Sequence, residues 1–130
     1  MIDEISVLLV DDHALVRRGF HRILEDDPYI RVVGEASDGM EAIEMAQKLR
    51  PRVVVMDLAM PKLDGVQATA AVREACPDVA VVCLTASANT REVEALYEAG
   101  ASACLTKDQE LEDIVDAIKR AAGRLPADGA

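Results

Sequence analysis

The chain has 130 residues, 51% hydrophobic and 29% charged, with a formal net charge of −10. That is enough apolar chain for one globular domain and too much for a disordered one. A surface this acidic repels a phosphate backbone, and scarce aromatics (Phe20, Tyr29 and Tyr97, no Trp) make base-stacking platforms for single strands improbable.

No apolar stretch approaches the ~20 residues needed to span a bilayer. The N-terminus, Met1-Ile2-Asp3-Glu4, lacks the basic-then-apolar layout of a signal peptide. Cys76, Cys83 and Cys104 are odd in number and show no zinc-like spacing. No membrane contact is expected, and a cytoplasmic location fits best.

In chain order, Ser6–Val10 reads as a strand that stops at Asp11-Asp12. A helix is expected over about 14–25, with Val16, Phe20, Ile23 and Leu24 inward. Arg17, Arg18, His21 and Arg22 fall on its other face, either simply solvated or docking an acidic or phosphohistidine-bearing partner. Asp26-Asp27-Pro28 ends this helix, and Ile30-Arg31-Val32-Val33 begins a second strand. Asp38 with Glu41 resembles a capping box opening a second helix, with Ala42, Ile43, Ala46 and Leu49 inward and Pro51 closing it.

Val53–Met56 is a third strand, stopping at Asp57. Gly65–Ala75 reads as a helix closed by Cys76-Pro77. Ala80–Leu84 is a fourth strand, stopping at Thr85. Asn89 with Glu92 caps a helix that carries Val93, Leu96 and Tyr97 to Gly100. Ala103–Thr106 is a fifth strand, stopping at Lys107. A last helix starts near Leu111, capped by Asp108, with Ile114, Val115 and Ile118 inward. Residues 1–124 form the expected domain, and residues 125–130 a linker stub or disordered tail.

Strands alternating with helices predict βαβ units and a doubly wound α/β sheet. The third and fourth strands are apolar on successive residues, as central parallel strands covered on both faces are. In such a sheet the crevice lies beyond the carboxyl ends of the strands. Asp11, Asp12, Asp57, Thr85 and Lys107 would all stand there. Three carboxylates so close repel one another unless a cation neutralises them, and an all-oxygen set suits Mg²⁺, with Mn²⁺ as an alternative. Asp57, on a central strand, is the natural nucleophile toward phosphorus. Lys107 and Thr85 would meet the oxygens of the acyl phosphate it forms.

The order Asp11-Asp12, Asp57 followed by Met60-Pro61 and Gly65, then Thr85, then Lys107, resembles the receiver domain of two-component response regulators over about residues 5–123. Leu9-Val10-Asp11-Asp12-His13, Ala36-Ser37-Asp38-Gly39 and Gly100-Ala101 through Lys107-Asp108 are similar to the NarL/FixJ, LuxR-type branch. The resemblance implies a flavodoxin-like (βα)5 fold with strand order 2-1-3-4-5. It implies Asp57 as phosphoacceptor and Mg²⁺ held by Asp11, Asp12, Asp57 and the Ala59 carbonyl. Lys107, Thr85 and the Ala86 amide would bind the phosphoryl group. Thr85 would report its presence to the face formed by the fourth helix, fifth strand and fifth helix. Its donor would be a sensor histidine kinase or a histidine phosphotransfer protein. A homodimer could follow phosphorylation, and DNA would be reached only through a LuxR-type helix-turn-helix effector domain that this stretch does not include.

The sequence departs from the family at the second half of the switch, where Cys104 replaces the usual Tyr or Phe. Asp108 follows the lysine in place of the common proline. Ala59 and Ser87 hold positions that modulate hydrolysis of the acyl phosphate in this family. His13 reads as a turn residue, and Cys104 as a small core residue without a resolving cysteine near it in sequence.

Such a domain catalyses its own phosphoryl transfer and slow dephosphorylation without being a conventional turnover enzyme. The alternative is a stand-alone single-domain receiver that acts through protein contacts. A haloacid-dehalogenase-type phosphatase would want an acid where Ala59 stands. A flavodoxin-like cofactor binder would want a phosphate-cradling loop where Asp11-Asp12-His13 stands.

Overall fold

The computed structural model describes residues 4–57, 65–85, 90–106 and 108–123. Five strands alternate with five helices: β1 (Ile5–Val10), α1 (Ala14–Leu24), β2 (Ile30–Ala36), α2 (Gly39–Leu49), β3 (Val53–Asp57), α3 (Gly65–Ala75), β4 (Ala80–Thr85), α4 (Thr90–Glu98), β5 (Ala103–Thr106) and α5 (Leu111–Ala121). The strands form one parallel sheet in the order β2-β1-β3-β4-β5. This is the flavodoxin-like doubly wound arrangement that the alternation implies.

Side-chain alternation along each strand feeds two cores. Leu8, Val10, Val54, Met56, Val81 and Cys83 face Ala42, Ala46, Ala68, Val72 and Leu96 of α2, α3 and α4. Val7, Leu9, Val53, Val55 and Val82 face Leu24 of α1 and Ile114 and Ile118 of α5. β3 is buried at every position, as a central strand covered on both faces must be. The small residues of α2 and α3 let those helices lie close over the sheet. Gly34 shows how close: a Cβ there would come within 2.7 Å of Met45 Cε and 2.8 Å of Leu49 Cδ1. It sits beside a register shift between Val7 and Leu8, where β2 carries one extra residue.

Helix ends follow local chemistry. Asp38 accepts a hydrogen bond from the Glu41 amide at 2.8 Å, the expected N-cap. The Glu41 carboxylate accepts from the Ser37 amide at 3.3 Å, one residue ahead of the reciprocal capping-box position. Gly100, at φ +110°, turns the chain out of α4, and the Ala101 amide bonds back to the Leu96 carbonyl.

Two expectations are corrected. Glu110, not Asp108, is the N-cap of α5, and its side chain makes no capping bond. On α1 the inward face is Arg17, Phe20, His21 and Leu24, while Val16 and Ile23 are 60% and 43% exposed. The helix is turned by about one residue from the purely apolar choice because Glu35 on β2 draws in its two basic side chains. Arg17 Nε donates to Glu35 Oε1 at 2.8 Å, and His21 Nδ1 lies 2.7 Å from Glu35 Oε2. Arg17 and His21 therefore belong to an internal ion-pair cluster rather than to a solvated face. Ala59, Ala86, Ser87, Asn89 and Lys107, and residues 124–130, lie outside the described residues.

Candidate functional site

The carboxyl edge of the sheet gathers the acids. β3 ends at Asp57, which is only 2% exposed, because a central strand carries its last residue down between two helical layers. β1 ends one residue before Asp11, whose amide still bonds to the Ala36 carbonyl at 3.0 Å and so continues the ladder toward β2. The chain then turns into α1 through Asp12 and His13.

Asp11, Asp12, His13 and Asp57 each place one ligand atom within 4.8 Å of the others. The turn that presents them is internally bonded. The His13 amide donates to Asp11 Oδ1 at 2.8 Å, and His13 Nδ1 lies 2.9 Å from Asp12 Oδ1. Arg17 braces it from α1, with Nη1 donating to the Asp11 carbonyl at 2.5 Å. The same guanidinium holds Glu35, so one side chain ties α1, β2 and the acidic turn together. Burial alone would raise the Glu35 carboxyl. The hydrogen bonds and charges of His21 and Arg17 outweigh it and hold that carboxyl below its ordinary value.

This donor set fits a hard divalent cation. Three carboxylates supply oxygen and negative charge, the combination that Mg²⁺ and Mn²⁺ take in preference to softer metals. His13 adds a nitrogen within reach, but its side chain is 69% exposed and already lies against two carboxylates. On the neighbouring strand, Thr85 ends β4 at 5% exposure, one residue past the pairing of Asp57 with Leu84. Thr85 is paired in turn with Thr106, the residue before Lys107. Asp11, Asp12, Asp57 and Thr85 are thus found at one edge, as the strand-end pattern requires.

Two features of the molecule escaped sequence reasoning. Arg17 was grouped with the other bases of its helix. The signal available was Glu35, the one acid of the second strand, which needed a partner. Cys104 looked solitary, yet it lies opposite Cys83 in the β4–β5 register. Cys83 is 21 positions earlier in the chain, and only the strand pairing reveals it.

The comparisons agree with this geometry. Residues 7–119 match the response regulator receiver domain family. Over 117 residues the chain is 42% identical to the transcriptional regulatory protein LiaR of Bacillus subtilis (strain 168), covering 90% of this chain and 56% of that protein. It is 39% identical over 116 residues to the response regulator protein VraR of Staphylococcus aureus, covering 89% and 56%. The chain spans about half the length of these curated relatives. Among solved structures, the signal receiver domain of the response regulator NarL from Mycobacterium tuberculosis superposes with a TM-score of 0.88 at 35% identity, covering 93% of this chain and 98% of that one. Among the described residues no helix is long and apolar enough to cross a membrane. The chain belongs to the response regulator receiver domains of two-component signalling, on their NarL/FixJ, LuxR-type branch.

Proposed function

We propose that this domain accepts a phosphoryl group on Asp57 from a phosphohistidine donor, a sensor histidine kinase or a histidine phosphotransfer protein, with Mg²⁺ held by Asp11, Asp12, Asp57 and the Ala59 carbonyl. The observation that carries the reading is the near-complete burial of Asp57 beside two further carboxylates at the carboxyl edge of a parallel sheet. Asp57 Oδ attacks phosphorus in line, the phosphorus–nitrogen bond of the donor breaks, and an acyl phosphate forms. A bound Mg²⁺ would supply charge neutralisation for the transferring oxygens. Lys107, the Thr85 hydroxyl and the Ala86 amide take up the remaining oxygen charge, which is the main catalytic contribution in phosphoryl transfer. Asp11 and Asp12 are kept in place by the Arg17 brace on the turn that carries them.

Thr85, drawn toward the phosphoryl group, would bias an existing equilibrium between two arrangements of the α4–β5–α5 face. Cys104 takes the switch position beside it. Residues 1–124 would be the signalling unit and residues 125–130 a linker. LiaR is a transcriptional regulatory protein by name, which supports a transcriptional output. That output would run through a LuxR-type DNA-binding domain, with a homodimer formed on phosphorylation.

Acetyl phosphate with Mg²⁺, followed by intact mass, tests the reading. One phosphoryl adduct is expected on the wild type, and none on Asp57→Asn or after chelation of the metal. An equal adduct on Asp57→Asn would overturn it.

A further inference from the structure

Cys104 stands where the switch aromatic of the family usually does, and it has company. β4 and β5 pair Cys83 directly with Cys104. Neighbouring strands lie about 4.8 Å apart, inside the Cα separation that a disulfide spans. Both residues contact the same α2–α4 core, Cys83 within it and Cys104 at its edge. Paired in register and set on the same face of the sheet, the two thiols are close enough to shift each other's acidity. Cys83 is wholly buried and also lies 3.6 Å from Thr69 Oγ1. Cys104 is partly exposed, and its amide donates to the Tyr97 hydroxyl at 3.3 Å.

The division of labour is visible in the acidities. The neighbouring Cys104 thiol, and then burial, push the Cys83 thiol well above its ordinary value, against an opposing bond from Thr69. The Cys83 thiol in turn holds the Cys104 thiol below its ordinary value. Partial burial and the charge of Glu92 oppose that shift, and a bond from Tyr97 assists it. The more exposed sulfur is therefore the better nucleophile, and the buried one keeps its proton.

We propose that Cys83 and Cys104 are a peroxide-sensitive dithiol, with Cys104 as the attacking thiol and Cys83 as the resolving thiol. The Cys104 thiolate attacks one oxygen of hydrogen peroxide, the O–O bond breaks, and the departing hydroxide takes up a proton as water. Cys104 is left as a sulfenic acid. The Cys83 sulfur then attacks Cys104 Sγ, its proton leaves with the hydroxyl group as a second water, and a disulfide forms. Two thiols lose two electrons and two protons, and one peroxide becomes two waters. The bond would clamp β5 to β4 at mid-strand, at the residue whose amide donates to the Tyr97 hydroxyl of α4. The oxidation state of the pair would thus act on the α4–β5 side of the molecule, independently of Asp57.

The test uses the reduced chain and hydrogen peroxide, with no phosphoryl donor, so its outcome is separate from that of the Asp57 reading. After quenching, free thiols are alkylated in denaturant and the digest is mapped. The expected product is an intramolecular Cys83–Cys104 cross-link, reversed by dithiothreitol, with Cys76 alkylated throughout. In Cys83→Ala, Cys104 should stop at a dimedone-reactive sulfenic acid. In Cys104→Ser, Cys83 should stay reduced at the same peroxide dose. A link through Cys76, links only between molecules, or cysteines that oxidise no faster than in the unfolded chain would overturn the proposal. If Cys83→Ala does not fold, the wild-type map alone decides.

Discussion

The carboxylate turn and the β4–β5 edge sit on the same sheet, yet they are assembled differently. Asp11, Asp12 and His13 are neighbours in the chain, and Asp57 joins them because β1 and β3 are paired with Val10 opposite Met56. Each acid is the residue at which an apolar run stops. The thiol pair lies in mid-strand, where nothing in either run marks it, and it exists only through cross-strand register. Chemistry placed at strand ends follows from topology alone, whereas chemistry placed within strands needs the register as well.

That contrast can be strained from the scaffold outward. Leu8→Ala empties a wholly buried position of β1, in the core that also holds Cys83, and should cost about 2–5 kcal/mol in urea unfolding. The surviving folded fraction should keep its acids and its thiol pair. If stability were unchanged, the close packing of α2 on β1 would be in error. Asp12→Asn should lower Mg²⁺ affinity about tenfold, or about 1.4 kcal/mol, read by metal-dependent stabilisation, with peroxide cross-linking untouched. A loss of cross-linking in that variant would show the two regions to be coupled.

Asp38→Ala removes the α2 cap and should cost about 1 kcal/mol without moving either chemistry. The smallest effect is an acid-limb one. Glu35 ionises below its ordinary value in the folded chain, so the unfolded chain takes up that proton first as pH falls. The contribution of the Arg17–Glu35–His21 cluster is complete above the ordinary carboxylate range and is lost as pH drops through it. Glu35→Gln should flatten that limb of stability against pH. An unchanged limb would mean that Arg17 and His21 do not hold the Glu35 carboxyl below its ordinary value.

Much of the fold was legible because runs such as Val53–Met56 and Ala80–Leu84 can only be doubly covered strands, and Cys76-Pro77 and Gly100 are plain helix stops. Asp11, Asp12, Asp57 and Thr85 were legible for the same reason, as the polar residues closing those runs. The inward face of α1 was not. Periodicity weighs apolar residues, so it chose Val16 and Ile23 over Arg17 and His21, which are held in by Glu35, a half-buried acid on β2. The α5 cap was missed because Asp108 is the better capping residue in isolation, while the chain enters the helix at Glu110.

The central claim is that Asp57 carries the phosphoryl group. The most direct measurement is borohydride reduction of the phosphorylated chain, which converts an aspartyl phosphate to homoserine, followed by peptide mapping. Homoserine at position 57, dependent on Mg²⁺, is the expected result. Homoserine at position 11 or 12 with Asp57 intact would contradict the account.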